Sequence, residues 1–341
     1  MIQSPSYFVL PDLFSLSTAF RDATNPFWKR ASAESRRWVN SYAVFADRRR
    51  AFFFQGQSEL LSSHCYPYAG YEEFRTCCDL VNLLFVIDEL SDEQCYGDAR
   101  RTGDIFLQVM RDPTWTDGSK LARMTADFRA RLITTAKPKT FSRFLAHCDA
   151  YIDSVVQEAG LRDRGEVLQL HDYVHLRREN SAVRVCFGVI SYILGIDLPD
   201  EVFADPTFQR IYFSAVDMVC WANDLYSYNM ELNSGLEGNN FITVLMRTKN
   251  MDIQAACNFV GAHYKQLMDD FLDAKSSLRS FGPEVDVDVK RYIEACQHWP
   301  AGNLVWSFET PRYFGARREQ ILRTRIVPLK PLEREPFKED D

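Results

Sequence analysis

Apolar residues recur at three- and four-residue spacing along most of this chain, the period of a helix buried on one side. The pattern predicts helices over residues 26–46, 71–92, 99–111, 120–135, 140–158, 168–194, 207–231, 253–280 and 285–297. Breakers fall between them: Pro67, Pro113, Pro138, Gly160 and Gly165, Pro199, Pro206, the 235–240 stretch and Gly282-Pro283. No run of alternating apolar and polar residues suggests a sheet. The fold class read from this pattern is all-α. Residues 326–341 are rich in proline and charge and have no core of their own, so they read as an exposed or ligand-ordered tail after a helical body over 1–325.

Two of these helices carry more than amphipathicity. In the second, Cys78, Val81 and Phe85 share a face, and Asp88 and Asp92 continue it. In the seventh, Val216, Val219 and Cys220 lead to Asn223, Ser227 and Glu231, which are spaced by four residues. Each step of four advances about 40° around a helix, so these three side chains form one stripe roughly 12 Å long. An amide carbonyl, a hydroxyl and a carboxylate suit a hard cation such as Mg²⁺. The set carries one formal negative charge, so it should hold the ion weakly until an anionic ligand such as a diphosphate completes the shell. Two such helices face to face would make an apolar pocket with a metal-binding rim. For Asp88 and Asp92 alone, a solvated helix end is an equal reading.

Composition narrows the class. The chain has 341 residues, 46% hydrophobic, enough for a large core in one domain or two. Net charge is −7 with both signs interspersed, which argues against a nucleic-acid surface. The nine cysteines lack paired spacing and read as free thiols in a reducing compartment. No signal peptide and no membrane-length apolar run is evident, so a soluble cytoplasmic protein is expected.

Three further signals are set aside. Asp269, Asp270 and Asp273 match an aspartate-rich motif, but no apolar stripe runs into them and they read as a solvated face. His171 and His175 have zinc-site spacing but lack the glutamate of the protease motif, which favours a structural role. Phe52, Phe53 and Phe54 read as packing.

The ordered motifs resemble the class I terpene synthases, most closely the fungal sesquiterpene cyclases of mushroom type. Asp88-Glu89-Leu90-Ser91-Asp92 is similar to that family's first metal motif, and Asn223 to Glu231 matches its second, Asn-Asp-x-x-Ser-x-x-x-Glu. The segment from Leu176 to Asn180 resembles the one carrying a diphosphate-sensing arginine, and the family's spacing of 46 residues before Asn223 selects Arg177 over Arg178. Arg312-Tyr313 resembles the C-terminal Arg-Tyr motif. The likeness runs from about Asn25 to Arg325. Two positions depart: Ala182 stands near where many relatives have glycine, and Met230 where some have a diphosphate-binding lysine.

The resemblance implies a single helical bundle around an apolar pocket, three Mg²⁺ ions and farnesyl diphosphate as substrate. It implies that Asp88 ligates two metals, that Asn223, Ser227 and Glu231 hold the third, and that Asp92 acts through water or beside the metal. Arg177, Arg312 and Tyr313 would donate to the diphosphate. Phe85 and Trp306 would face the carbocation. The form of the first motif and the Phe-rich N-terminal third look like the group that closes the ring from C1 to C11, which includes protoilludene synthases. Rival readings are a chain-elongating prenyltransferase of the same fold and a non-catalytic isoprenoid-binding protein. Oligomeric state and the final proton acceptor do not follow from the sequence.

Overall fold

The computed structural model describes residues 6–329. Short β1 (Tyr7–Val9) and α1 (Leu13–Leu16) lead into α2 (Trp28–Ser41), α3 (Asp47–Gln55) and α4 (Ser58–Cys65). The middle of the chain supplies α5 (Tyr71–Ser91), α6 (Tyr96–Arg111), α7 (Lys120–Ile133) and α8 (Pro138–Arg164). Then come α9 (Leu170–Asn180), α10 (Val183–Gly188), α11 (Ile190–Leu194), α12 (Asp200–Ala204) and the 29-residue α13 (Pro206–Ser234). The last part holds α14 (Phe241–Lys249), α15 (Ile253–Ser277), α16 (Pro283–Glu309), α17 (Arg318–Thr324) and β2 (Ile326–Pro328).

The two helices singled out by their oxygen stripes are the buried ones. α13 starts where Asp205 accepts from the backbone N–H groups of Thr207 and Phe208, with Pro206 at the first helical position. It is buried at nearly every position from Ile211 to Asn229, and it ends at Gly235 with φ +74°. α5 is buried in the same way from Phe74 to Leu84. α13 packs on α15 and α16, and α5 packs on α2 and α4. A helix apolar all round belongs in the middle of a bundle.

The structure corrects several boundaries. The predicted 168–194 helix is three pieces, because the chain turns at Ala182, which has φ +59°. The predicted 285–297 helix continues to Glu309 through Pro300. Proline there removes one helical hydrogen bond, but packing outweighs the loss. A Cβ on Gly302 would meet His64 Cβ at 2.8 Å, so α16 lies almost on the α4 backbone. α3, α4, α14 and α17 were not predicted; each is nine residues or shorter, too short for a clear period. The tail starts as β2, antiparallel to β1 with Phe8 opposite Val327. Residues 330–341 of the tail lie outside the described residues.

One polar clasp ties distant segments together. The buried His64 ring meets Asp22 Oδ1 through Nδ1 at 2.8 Å and Glu309 Oε2 through Nε2 at 3.0 Å. This pins the end of α16 to α4, just before the Arg312-Tyr313 segment. Among the described residues no helix is long and apolar enough to cross a membrane.

Candidate active site

One pocket collects every site residue expected from the sequence: Asp88, Asp92, Arg177, Asn223, Ser227, Glu231, Arg312, Tyr313, Phe85 and Trp306. α5 and α13 bring their oxygen stripes to the same mouth. Below that mouth the lining is apolar, with Leu61, Leu84, Val183, Val219 and Trp299 among it. Each stripe thus continues downward into a hydrocarbon-lined chamber, as the paired patterns required.

The mouth is strung with hydrogen bonds. Asn180 Nδ2 donates to Glu158 Oε2 at 2.6 Å, and Arg177 Nη1 donates to Asn180 Oδ1 at 3.3 Å. Arg177 Nη2 donates to Asn223 Oδ1 at 2.6 Å, and Asn223 Nδ2 donates to the Tyr313 hydroxyl at 2.7 Å. The line therefore joins α8, α9, α13 and the segment after α16. Arg177 also donates from Nε to Asp224 Oδ1 at 2.7 Å. Asp224 is fully buried and further accepts from Tyr173 and the Phe241 N–H. Arg178 points elsewhere, making two 2.7 Å bonds to Asp217.

Arg312 and Trp306 share a seat at the α3–α4 junction. Trp306 Nε1 donates to the carbonyls of Gly56 at 2.8 Å and Gln57 at 3.1 Å. A Cβ on Gly56 would lie 3.3 Å from Arg312 Nη1, and Gln57 takes the left-handed conformation at φ +44°. Arg312 lies 4.7 Å over the Phe85 ring and 3.4 Å from Glu89 Oε1. Phe85, Trp306 and Tyr313 follow one another at ring separations of 6.1 and 5.5 Å.

The carboxyls are held in an uncompensated state. Burial pushes Asp88 up to about 6, assisted by Glu89 and opposed by Arg312. Burial, with Asp88 and Glu158, pushes Asp92 up to about 9. Burial, with Asp224, pushes Glu231 up to about 7, although Asn240 Nδ2 donates to it at 2.9 Å. Glu158 is raised by burial as well, against the pull of Arg177. Acids in this condition are short of positive charge.

The donor set fits a divalent cation. It is built of oxygen: carboxylates of Asp88 and Asp92 on one helix, and the amide, hydroxyl and carboxylate of Asn223, Ser227 and Glu231 on the other. Ser227 Oγ lies near the Glu231 carboxyl and is buried without a hydrogen-bond partner. Among the described residues no three His, Cys, Asp or Glu groups gather closely enough to hold a metal by themselves. The set suits an ion whose shell is completed by anionic oxygens of a ligand.

Sequence reading missed Glu158, Asn180 and Asp224 as parts of this site. Asp224 and Asn180 lay inside the quoted motifs, yet their contacts cross between helices. Glu158 carries no local signal at all. The signals set aside lie outside the pocket. Asp269 pairs with Lys265, and Asp270 and Asp273 with Arg210, all on the surface. His171 and His175 face solvent and meet each other at 3.2 Å. Phe53 packs on Phe45 and on Phe54.

Residues 79–270 match the family described as terpene synthase family 2, C-terminal metal binding. A Coprinopsis cinerea protein named linoleate 10R-lipoxygenase is 55% identical over 95% of this chain and 93% of its own. A bifunctional terpene synthase of Cyclocybe aegerita is 50% identical over 96% of this chain and 95% of its own. A sesquiterpene synthase of Postia placenta is 37% identical over 96% of both. The solved germacradien-4-ol synthase of Streptomyces citricolor has the same fold, with a TM-score of 0.73 at 22% identity over 85% of this chain and 97% of that one.

Proposed function

This chain belongs to the terpene synthase family, and on that premise we propose that it is an Mg²⁺-dependent sesquiterpene cyclase acting on farnesyl diphosphate. The family implies an isoprenyl diphosphate substrate and a divalent metal. The finer reading rests on one observation. Two stripes of oxygen donors, two arginines and a tyrosine converge on the mouth of a chamber whose deeper wall is apolar and aromatic.

Asp88, Asp92, Asn223, Ser227 and Glu231 would hold the metal, with three ions expected. When bound, the metal supplies positive charge that stabilises a departing diphosphate. The other roles belong to the chain itself. Arg177 and Arg312 present fixed forks of N–H donors to the same anion. Tyr313 adds a hydroxyl that remains protonated, its titration pushed up to about 12 by burial against the pull of Arg312. These groups act where negative charge grows as the carbon–oxygen bond breaks. The faces of Phe85 and Trp306 then shelter the cation, each worth up to about 2 kcal/mol where water is excluded. The apolar wall keeps solvent from ending the reaction early.

The first ring is proposed to close from C1 to C11, on the resemblance of the Asp88–Asp92 motif. Chain elongation is less well supported, since its second aspartate motif would be the ion-paired surface stripe at Asp269–Asp273. The lipoxygenase name of one relative implies a different chemistry. The pocket lining of this chain offers oxygen donors and guanidinium groups and includes no histidine among the described residues.

Incubation with farnesyl diphosphate and Mg²⁺, read by gas chromatography–mass spectrometry, tests the reading. A cyclic sesquiterpene that disappears with chelator is expected, and its skeleton reports the ring closure. Longer prenyl diphosphates formed only with added isopentenyl diphosphate would replace the reading with elongation. No turnover would replace it with a binding protein.

A further inference from the structure

A single buried ring holds the end of α16 to α4. His64 is 2% exposed, and a carboxylate engages each of its nitrogens: Asp22 Oδ1 at Nδ1, 2.8 Å, and Glu309 Oε2 at Nε2, 3.0 Å. A carboxylate accepts and cannot donate, so both nitrogens donate and the ring is an imidazolium. A neutral imidazole has one N–H and could close only one of the two arms.

The place of the ring in the fold gives its charge a consequence. Glu309 is the last residue of α16, and the final turn of that helix carries Trp306. Thr310 closes the turn by donating from N and Oγ1 to the Trp306 carbonyl at 3.2 and 3.1 Å, and Arg312 and Tyr313 follow it. One helix therefore grips α4 at both ends. The Trp306 N–H takes the carbonyls of Gly56 and Gln57 at its start, and Glu309 takes His64 near its finish. Among the described residues, Asp22 and Glu309 are the charged groups that act on the ring. Burial works against its charge, but their bonds outweigh burial, so it titrates above the ordinary histidine value. Where α2 and α5 meet α4, Arg36 and Asn82 turn instead to Glu59 in its first turn. On α16, His298 also feels Asp22, but burial leads there and lowers its titration. Cys65, next to His64, is pushed up by burial and stays a thiol.

We propose that His64 is a positioning residue for the diphosphate end of the site, and that loss of its second ring proton opens one arm of the clasp and lets the Arg312-Tyr313 segment drift. The inference rests on the cyclase reading, because Arg312 and Tyr313 take their roles from it. The arm that loses its N–H sets a nitrogen lone pair against a carboxylate, and the two repel. The clasp is thus closed at low pH and opens as pH rises through the titration of His64. The acids at the mouth act in the opposite sense, since Asp88 and Glu231 gain charge for a metal as pH rises. Turnover should therefore have an acid limb that belongs to the mouth and an alkaline limb that belongs to His64.

The test is turnover of farnesyl diphosphate with Mg²⁺ against pH, joined to nitrogen magnetic resonance of the His64 ring, which reads the clasp without activity. In the native protein both ring N–H groups should be present at about pH 7, just above the ordinary histidine value. Across the pH at which one is lost, kcat should fall about tenfold, the scale of one charge-assisted hydrogen bond. Glu309→Gln, at the exposed end of the clasp, keeps the shape and removes one charge. In it the alkaline limb and the loss of the ring N–H should move together to lower pH, while the acid limb stays. His64→Gln should have no alkaline limb and a low kcat throughout; should it fail to fold, Glu309→Gln alone decides. A merely structural clasp would lower Tm in these variants and move neither limb. A single N–H on the native ring at about pH 7 overturns the inference. So does an alkaline limb that is absent or that Glu309→Gln leaves in place. Either result leaves the cyclase reading intact. No cyclic product from the native protein overturns the cyclase reading, and the positioning role with it.

Discussion

Arg177 donates to Asn223 through Nη2 at 2.6 Å, on the oxygen that Asn223 would offer to a metal ion. The other end of the same amide is taken by the Tyr313 hydroxyl at 2.7 Å. A residue of the proposed metal motif and two proposed diphosphate donors are therefore engaged with one another in the ligand-free structure. On the proposed roles, binding would exchange these contacts for contacts to metal and diphosphate. Such an exchange would couple the two halves of the site, because Arg177 and Tyr313 would be released as Asn223 turned to its ligand.

Asn223→Ala removes the proposed metal donor and leaves Arg177 and Tyr313 without their shared partner. Turnover of farnesyl diphosphate should fall by at least about 100-fold, on the scale of losing a group that stabilises developing charge. Helical content by circular dichroism should barely change, since the residue lies at the pocket. Normal Mg²⁺-dependent turnover in this variant would remove the metal assignment on α13.

Asp224 tests positioning separately from ligation. It accepts from Arg177 Nε at 2.7 Å, while Asn223 accepts from Nη2 of the same guanidinium. Asp224→Asn keeps the shape but loses the charge that orients Arg177. A charge-assisted bond of about 1.5–3 kcal/mol corresponds to a fall in kcat of roughly 10- to 100-fold. Asp224 does not line the pocket, so the concentration of Mg²⁺ at half-maximal rate should move much less than in Asn223→Ala. An equal shift in the two variants would place Asp224 in the metal shell instead.

The stripes of α5 and α13 were legible in the sequence because their logic is local: side chains four apart on one helix must share a face. What crosses between helices was not. Glu158 and Asn180 meet at 2.6 Å from different helices, and nothing near either residue announces the other. Local rules also failed where packing outweighed them. α16 runs through Pro300 to Glu309, past the predicted end at residue 297, with Gly302 in close contact with His64. The turn at Ala182 was hidden for the opposite reason, since alanine gives no warning of a left-handed backbone.

The buried carboxyls give a pH signature. Asp88, Glu231 and Asp92 titrate at about 6, about 7 and about 9, burial leading in each. In the unfolded chain such groups titrate near 4. Between those values the folded, metal-free protein keeps protons that the unfolded chain has released. The stability these groups contribute is therefore full below about pH 4 and is lost as pH rises through the folded values. Tm of the metal-free protein should fall between about pH 5 and about pH 8. Mg²⁺ with inorganic diphosphate should raise Tm more at the upper pH, where fewer protons must leave. An equal increment at both values would show that these acids do not face the bound ions.

Trp306 is fixed by its N–H bonds to Gly56 and Gln57, with its ring between Phe85 and Tyr313. Trp306→Leu removes both the anchor and the aromatic face. Losing a face worth up to about 2 kcal/mol to a desolvated cation can redirect branching by roughly tenfold or more. The product mixture by mass spectrometry should shift, or stall at early acyclic products. An unchanged mixture would take Trp306 out of the wall that the cation meets.

Ala182 supplies the last test, because its backbone sets the turn between Arg177 and the chamber. At φ +59° an alanine is strained by about 1–2 kcal/mol, a cost that glycine avoids. Glycine also frees the unfolded chain, which returns about 0.4–1 kcal/mol of that gain. Ala182→Gly should therefore raise Tm by a small amount, on the order of 1–3 °C for a chain of this size. Ala182→Val should lower Tm, since a β-branched side chain is worse placed in that region. The residue also lines the pocket, four positions before Cys186 on the same wall. If the stiffness of alanine helps to hold that wall against the substrate, the glycine variant gains stability and loses product fidelity together. A more stable variant with the native product mixture would show that the strain is a tolerated accident of this turn and that the wall is held by its packing alone.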